Sequence, residues 1–298
     1  MWEKVVEMNI KSICRASIRW ALRIRDQETI EDGLVRHRYR FLRHCDKRSF
    51  GPGELKEALG EMGVKPGDSL MVHASWRAAY GYSGSPQSFV GVLLDCLGEE
   101  GTLLMPAYSS PESIFDVEES KSTAGVLSEI FRNMDGVKRS AIPHFPVCAK
   151  GALSDELFRQ ENTSAFGFDE SSPYSRFVDA GGKVLLVGLP RNTWKISCFH
   201  VSVWRWSHKK ELHSGIYNPP INTTIVQNGE PLERELIVKA AGMSNDHGAF
   251  SKAFSKVDKR CRKLGGCMFT VFGAREAVEI GVGCLEDGMW LYKGMRNL

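Results

Sequence analysis

From Ser49 onward the chain alternates between two hydrophobic periods. Gly53 to Met62 repeats apolar residues at helical spacing and stops at Gly63, and "KPGD" then forms a turn that launches the apolar run "SLMVHAS". A second helix is predicted in "SPQSFVGVLLDCLG", with Ser85 as N-cap and Pro86 in the first helical position. A turn and a strand follow in "EGTLLMPAYS", then a helix in "STAGVLSEIFRNM" and the Val/Leu-rich run "GGKVLLVGL". That run does not alternate, the pattern of a strand buried on both faces. Further on, "INTTIVQNGEPLERELIV" reads as two strands about a turn at Asn228-Gly229. A helix is expected from roughly Asp246 to Leu264, then the strand "GCMFTVFG" and a terminal α/β piece. Strands alternating with helices predict an α/β fold, its central sheet largely parallel or mixed and covered by helices on both faces.

Residues 1–48 differ in pattern. They are rich in Arg and Lys, and Val5, Ile10, Ile13, Ile18, Ala21 and Leu22 recur at helical spacing, which predicts a helical N-terminal extension ahead of an α/β domain spanning 49–298. Such an arm is expected to pack on the domain or on a second subunit of a homo-oligomer. Arg15, Arg19, Arg23 and Arg25 leave binding to an acidic partner open as the other reading.

Composition narrows the class. The 298 residues are 42% hydrophobic and 25% charged with a net charge of +3 and no long basic run, so neither nucleic acid nor an anionic membrane is implied as the main partner. The eight cysteines form no CxxC pair, which argues against a zinc or thioredoxin-like site; no metal is expected, and scattered thiols suit a reduced, cytoplasmic setting. The N-terminal stretch lacks a signal-peptide core, and no run is apolar enough to predict a membrane span.

Ligands of open α/β sheets gather beyond the carboxyl ends of the strands, which directs attention to three loops. In "MVHASWRAAYGYSG" the strand ends on His73 and Ser75, and Gly81 and Gly84 precede a helix N-terminus, an arrangement open to a phosphate or to an ordinary turn. In "MPAYSS" Pro106 ends the strand, and Tyr108, Ser109 and Ser110 offer hydroxyls. "GGKVLLVGLPRNTWKISCFH" delivers the lone His200, either a structural histidine or one whose near-neutral pKa suits a general base.

Together these loops resemble the aminoglycoside 3-N-acetyltransferases, a family of antibiotic N-acetyltransferases. The run from "GVKPGDSLMVHAS" to "GTLLMPAYS" is similar to the family's strand ending in "VHxSL", Gly-containing loop, helix and "GTLxMPT". "RSAIPHFPVCAKG" corresponds to "RSxHPxxSxxAxG", "FGFDESSPYSRFVDAGGKVLLVG" to "GxxSPxxxLxxxGGKVLLLG", and "SCFH" to "TxxH". The resemblance is clear over about 54–205 and loose beyond. It implies a fold distinct from that of the GNAT acetyltransferases and transfer of acetyl from acetyl-CoA to an amine of a sugar-like acceptor. His200 would be the base and Ser197 the assisting hydroxyl, with His73, Ala74, Ser75, Trp76, Ser140 and Pro143 at the CoA site. The family's downstream carboxylate should come from the strand region after "NGEPLERELIV". Glu235 and Asp246 are the nearest acids, while a loose alignment places Lys239 on that position.

Three departures accompany the match. Ile142 and Pro146 replace the histidine and serine of the family's "HPxxS", with His144 two residues on, and Val203 stands where a glutamate follows the histidine. For a polycationic acceptor Asp169 and Glu170 are candidate contacts, with Glu112, Asp116, Glu118 and Glu119 as a further acidic run. Tyr108 and Trp204 are candidates for the sugar, and the basic, aromatic stretch 204–219 suits a nucleotide- or lipid-linked amino sugar or the CoA phosphates. A degenerate CoA- or sugar-binding homologue, and an acyltransferase with another donor or an oxygen acceptor, remain the alternatives.

Overall fold

The computed structural model describes residues 16–24, 30–109, 114–159, 164–189 and 196–297. Two compact units divide at Ser49/Phe50. The first holds two helices, α1 (16–21) and α2 (Ile30–Cys45). Within this unit the Arg36 guanidinium donates to the carbonyls of Leu22 and Arg23, tying α2 to the turn after α1. Residues 1–15, and Arg25 with them, lie outside the described residues.

The second unit runs in chain order through α3 (Pro52–Glu61), β1 (Ser69–Ala74), a short 3-10 turn (Trp76–Ala79), α4 (Pro86–Leu97), β2 (Thr102–Pro106), α5 (Val126–Arg132), β3 (Lys138–Arg139) and β4 (Val147–Gly151). It continues with α6 (Ser154–Phe158), α7 (Pro173–Asp179), β5 (Lys183–Val187), α8 (Cys198–Lys209), α9 (His213–Ile216), β6 (Ile221–Gln227) and β7 (Glu230–Leu236). It closes with α10 (His247–Lys256), β8 (Arg260–Leu264), β9 (Cys267–Gly273) and α11 (Ala274–Glu286). Seven strands form one sheet in the order β3-β4-β2-β1-β5-β9-β8, and β6 and β7 pair separately. Only β1 with β2 and β1 with β5 are parallel, so the sheet is mixed, with a parallel trio at its centre. Those three strands are the apolar runs of the sequence, and all are buried almost throughout.

Capping explains several helix starts. Ser85 Oγ accepts the Ser88 N–H at 3.1 Å with Pro86 next in the chain, and Ser172 Oγ caps α7 in the same way at 3.2 Å. The helix expected from Asp246 to Leu264 is cut short: α10 ends at Lys256, and Arg260–Leu264 is the edge strand β8. Its residues Arg260, Cys261, Arg262 and Lys263 are exposed, so no buried alternation marks it as a strand, and charge is what an uncovered sheet edge favours. The strand β4 was likewise unmarked, lying inside a segment read only as a motif.

The core packs α8 and α11 against the sheet. Gly281 makes their close approach feasible, since a Cβ there would sit 2.3 Å from Ser202 Oγ, which instead donates to the Val278 carbonyl at 3.0 Å. The fold thereby fixes the helix that carries His200.

Candidate active site

Three central strands end at one cavity of about 340 Å³. β1 supplies His73 and Ala74, β2 leads through Pro106 to Tyr108, and β5 leads past Gly188 to Leu189; all but Gly188 line the cavity. After residues 190–195, which lie outside the described set, Ile196 and Ser197 bring the chain into the first turn of α8, where His200 completes the wall. These are the carboxyl ends of the parallel strands, where an α/β sheet presents its ligand.

His200 is 7% exposed and packed among the rings of Phe168, Phe250 and Phe145, at centroid distances of 4.9, 5.4 and 6.2 Å. Its Nδ1 lies 2.7 Å from the hydroxyl of Tyr292. Burial, reinforced by the nearby cation of Lys239 and by His73, holds its pKa well below the usual histidine range. The imidazole is therefore neutral at physiological pH. Lys239 lies 4.5 Å above the Tyr292 ring, and its ammonium donates to Asn245 Oδ1 at 3.2 Å; Asn245 lines the cavity.

A second polar group faces the first. Ser197 Oγ is 3.4 Å from His73 Nε2, and both side chains are buried. The Tyr108 hydroxyl lies beside them; burial raises its pKa, offset by the neighbouring hydroxyls of Ser197 and Tyr174. Tyr174 is fully buried, with its hydroxyl beside those of Tyr108 and Ser197. Cys198, next to Ser197, is buried with its thiol pushed up to about 12, which excludes it as a thiolate at neutral pH.

The structure thus brings His200, Ser197, His73, Ala74 and Tyr108 together. Other candidates lie elsewhere. Glu235 is exposed on the β6–β7 hairpin, and Asp246 caps α10 by accepting the Ala249 N–H at 3.0 Å while meeting Arg296 at 3.1 Å. Neither carboxylate meets His200, whose Nδ1 lies against the Tyr292 hydroxyl instead. Ser140 Oγ accepts the Val147 N–H, and the Pro143 carbonyl takes a bond from Ser109 Oγ at 3.5 Å, so both brace the β3–β4 connection. Ser75 is bound through its backbone to Val187 and Ala78, and Trp76 packs edge-on against Tyr82 and Phe89.

The residues expected at the sugar make their contacts within the protein. Asp169 is buried, with its carboxylate accepting from Ser164 Oγ and the N–H groups of Ala165 and Phe166, so it shapes its own loop. Glu170 accepts the indole N–H of Trp204 at 2.8 Å. Trp204 is itself buried between Phe166, Tyr217 and His213, and Trp206 and Tyr217 are buried too, so the aromatic residues of α8 and the tyrosine that ends α9 turn inward and offer no exposed platform. His144 is exposed and Ile142 and Val203 are core residues, so none replaces the family's missing groups. Asp116, Glu118 and Glu119 are absent from the cavity wall, and Glu112 and Ser110 fall outside the described residues.

Among the described residues no cluster of three or more His, Cys, Asp and Glu could hold a metal, and no helix is long and apolar enough to cross a membrane.

Comparison with known proteins agrees with this architecture. The family model described as aminoglycoside 3-N-acetyltransferase matches residues 71–286. Aminoglycoside N(3)-acetyltransferase IV of Salmonella sp is 30% identical over 198 residues, covering 65% of this chain and 69% of its own. Aminoglycoside N(3)-acetyltransferase VII of Streptomyces paromomycinus is 27% identical over 294 residues, covering 83% and 96%. The solved structure of AAC-IIIb, binary with CoASH, superposes with a TM-score of 0.67 at 22% identity over 80% of this chain and 97% of that one. With a family match across most of the chain and the same fold, the protein belongs to the aminoglycoside 3-N-acetyltransferase family of acyltransferases.

Proposed function

We propose that the protein is an acetyl-CoA-dependent N-acetyltransferase that acetylates an amino group of an aminoglycoside or amino-sugar acceptor, with His200 as general base and direct transfer. The observation that carries this reading is the neutral His200 in the cavity wall, its Nδ1 engaged by Tyr292. With Nδ1–H donating to the Tyr292 hydroxyl, Nε2 presents the lone pair that a base needs.

The chain fits a thioester donor. The clustered hydroxyls of Tyr108, Ser197 and Tyr174 give neutral donors for a carbonyl oxygen, and the relative named above was captured with CoASH. A cavity of about 340 Å³ is at the lower end for ligand sites, so it takes the reacting ends of the two substrates and leaves the nucleotide end of CoA outside.

In the reaction the acceptor amine, held against the thioester carbonyl, gives up its proton to His200 Nε2 as the N–C bond forms. The hydroxyl cluster beside Tyr108 stabilises the oxygen that gains charge. The C–S bond then breaks, and the departing thiolate takes a proton, for which His200 is the nearest source.

Thiol-detected release of CoA from acetyl-CoA, measured against a panel of amines with His200→Ala in parallel, tests this. Turnover lost in the variant supports it; CoA binding without turnover on any amine would instead mark a binding protein.

A further inference from the structure

The electrostatics of the cavity differ from what a polycation requires. Among the described residues that line it there is no Asp or Glu; the polar members are His73, Tyr108, Thr123, Ser128, His200 and Asn245. Asn245 in turn accepts from Lys239, a half-buried ammonium near enough to His200 to depress its pKa. No described carboxylate comes within ion-pair distance of Lys239; its neighbours are an amide oxygen and the face of Tyr292. This cation stands where the sequence resemblance led us to expect an acid.

A buried cation with only neutral partners is stabilised by an anion brought to it. Every additional ammonium on an acceptor raises like-charge repulsion there. From the Lys239 ammonium behind the cavity wall, joined to it through Asn245 and lying over the ring of Tyr292, we infer that the acceptor is an amino sugar bearing an anionic group, carboxylate or phosphate, close to the amine, and not a polyamine. The inference rests on the N-acetyltransferase reading above and specifies its acceptor. Burial lowers the Lys239 pKa, and a bound anion raises it again, so acceptor binding is coupled to charge retention at this site.

The test compares 2-amino-2-deoxyglucose, its 6-phosphate, its uronic acid, gentamicin and apramycin as acceptors, by CoA release and by equilibrium binding to the full chain. We expect kcat/KM and binding for the two anionic sugars to exceed those of the neutral parent by about ten-fold or more, equivalent to 1.4 kcal/mol. The drugs should fall below the parent, and the preferred anionic arm assigns phosphate or carboxylate. Lys239→Gln should abolish the preference, read as the ratio of kcat/KM for the anionic sugars to kcat/KM for the neutral one, which normalises any effect of the substitution on His200 itself. Equal or better use of gentamicin, or a preference unchanged in Lys239→Gln, overturns the inference. Should Lys239→Gln fail to fold, the wild-type ranking alone decides. If no amine is turned over, the acetyltransferase reading fails separately, and the binding order still supports or refutes the charge assignment.

Discussion

The hydroxyl of Tyr292 meets Nδ1 of His200 across 92 residues of sequence, at 2.7 Å, in a pocket where the imidazole has no carboxylate partner among the described residues. A phenol orients the ring and selects the tautomer as a carboxylate would, without adding negative charge to raise basicity. Tyr292→Phe keeps the packing and removes the hydrogen bond. We expect kcat to fall about 10- to 100-fold with KM for acetyl-CoA little changed, whereas His200→Ala should abolish turnover. Equal losses in kcat and thermal stability would reduce Tyr292 to a packing residue.

The depressed pKa of His200 sets the sign of two pH effects. His200 is unprotonated above its folded-state value, so with His200 as the proposed base the acid limb of kcat/KM should lie below pH 6.5, and Lys239→Gln, by removing the nearby cation, should move that limb upward. For stability, the unfolded chain binds a proton near pH 6.5 that the folded chain refuses. Stability is then unaffected above that pH and is lost as pH falls below it, by about 1.4 kcal/mol per unit until the folded pKa is reached. Melting temperatures of wild type and Tyr292→Phe from pH 7.5 to 5 check the slope. A flat profile for wild type would contradict a neutral buried imidazole.

What was legible in the chain follows from local pattern. β1, β2 and β5 announce themselves as apolar runs because both of their faces are covered, and Asn228-Gly229 marks the hairpin because its turn needs those residues. The edge strand β8 carries its charges outward and so extends the helical pattern of α10 by eye. In the site, "SCFH" and "VHAS" place His200 and His73 on the cavity wall and Ser197 against His73 behind it. Tyr292 had no signal, since the segment that holds it has no motif and its contact depends on where α11 returns the chain. Glu235 and Asp246 were drawn in by nearness in sequence, which the β6–β7 hairpin and the α10 cap then dispel.

Asp169 separates a structural acid from a substrate contact. Its two oxygens accept from Ser164 Oγ and from the amides of Ala165 and Phe166 at 2.7 to 2.9 Å, and its own carbonyl receives Ser172 Oγ. Asp169→Asn can set its NH2 toward Ser164 Oγ, whose proton then goes to the Phe166 carbonyl, but it removes the charge that receives the amides of Ala165 and Phe166 and should destabilise the fold by about 1–2 kcal/mol. Acceptor KM measured well below the melting temperature should hardly move. A large KM change at wild-type stability would return Asp169 to the substrate.

Gly188 joins β5 to the cavity with a φ of +66°, and a Cβ there would lie 2.2 Å from the Cβ of Ala78 and 3.3 Å from the Ser75 carbonyl oxygen. Alanine at this position carries both the left-handed penalty of about 1–2 kcal/mol and the cost of pushing the Trp76–Ala79 turn away. That turn follows directly on Ala74, which lines the cavity, so strain relieved by movement would displace the wall that faces His200. Gly188→Ala should therefore lose about 3 kcal/mol of stability and, where it folds, show a lower kcat at unchanged His200 pH dependence. Chemical denaturation followed by steady-state kinetics distinguishes the two effects. Wild-type stability in Gly188→Ala would show that β5 leaves the sheet by a different path from the one described.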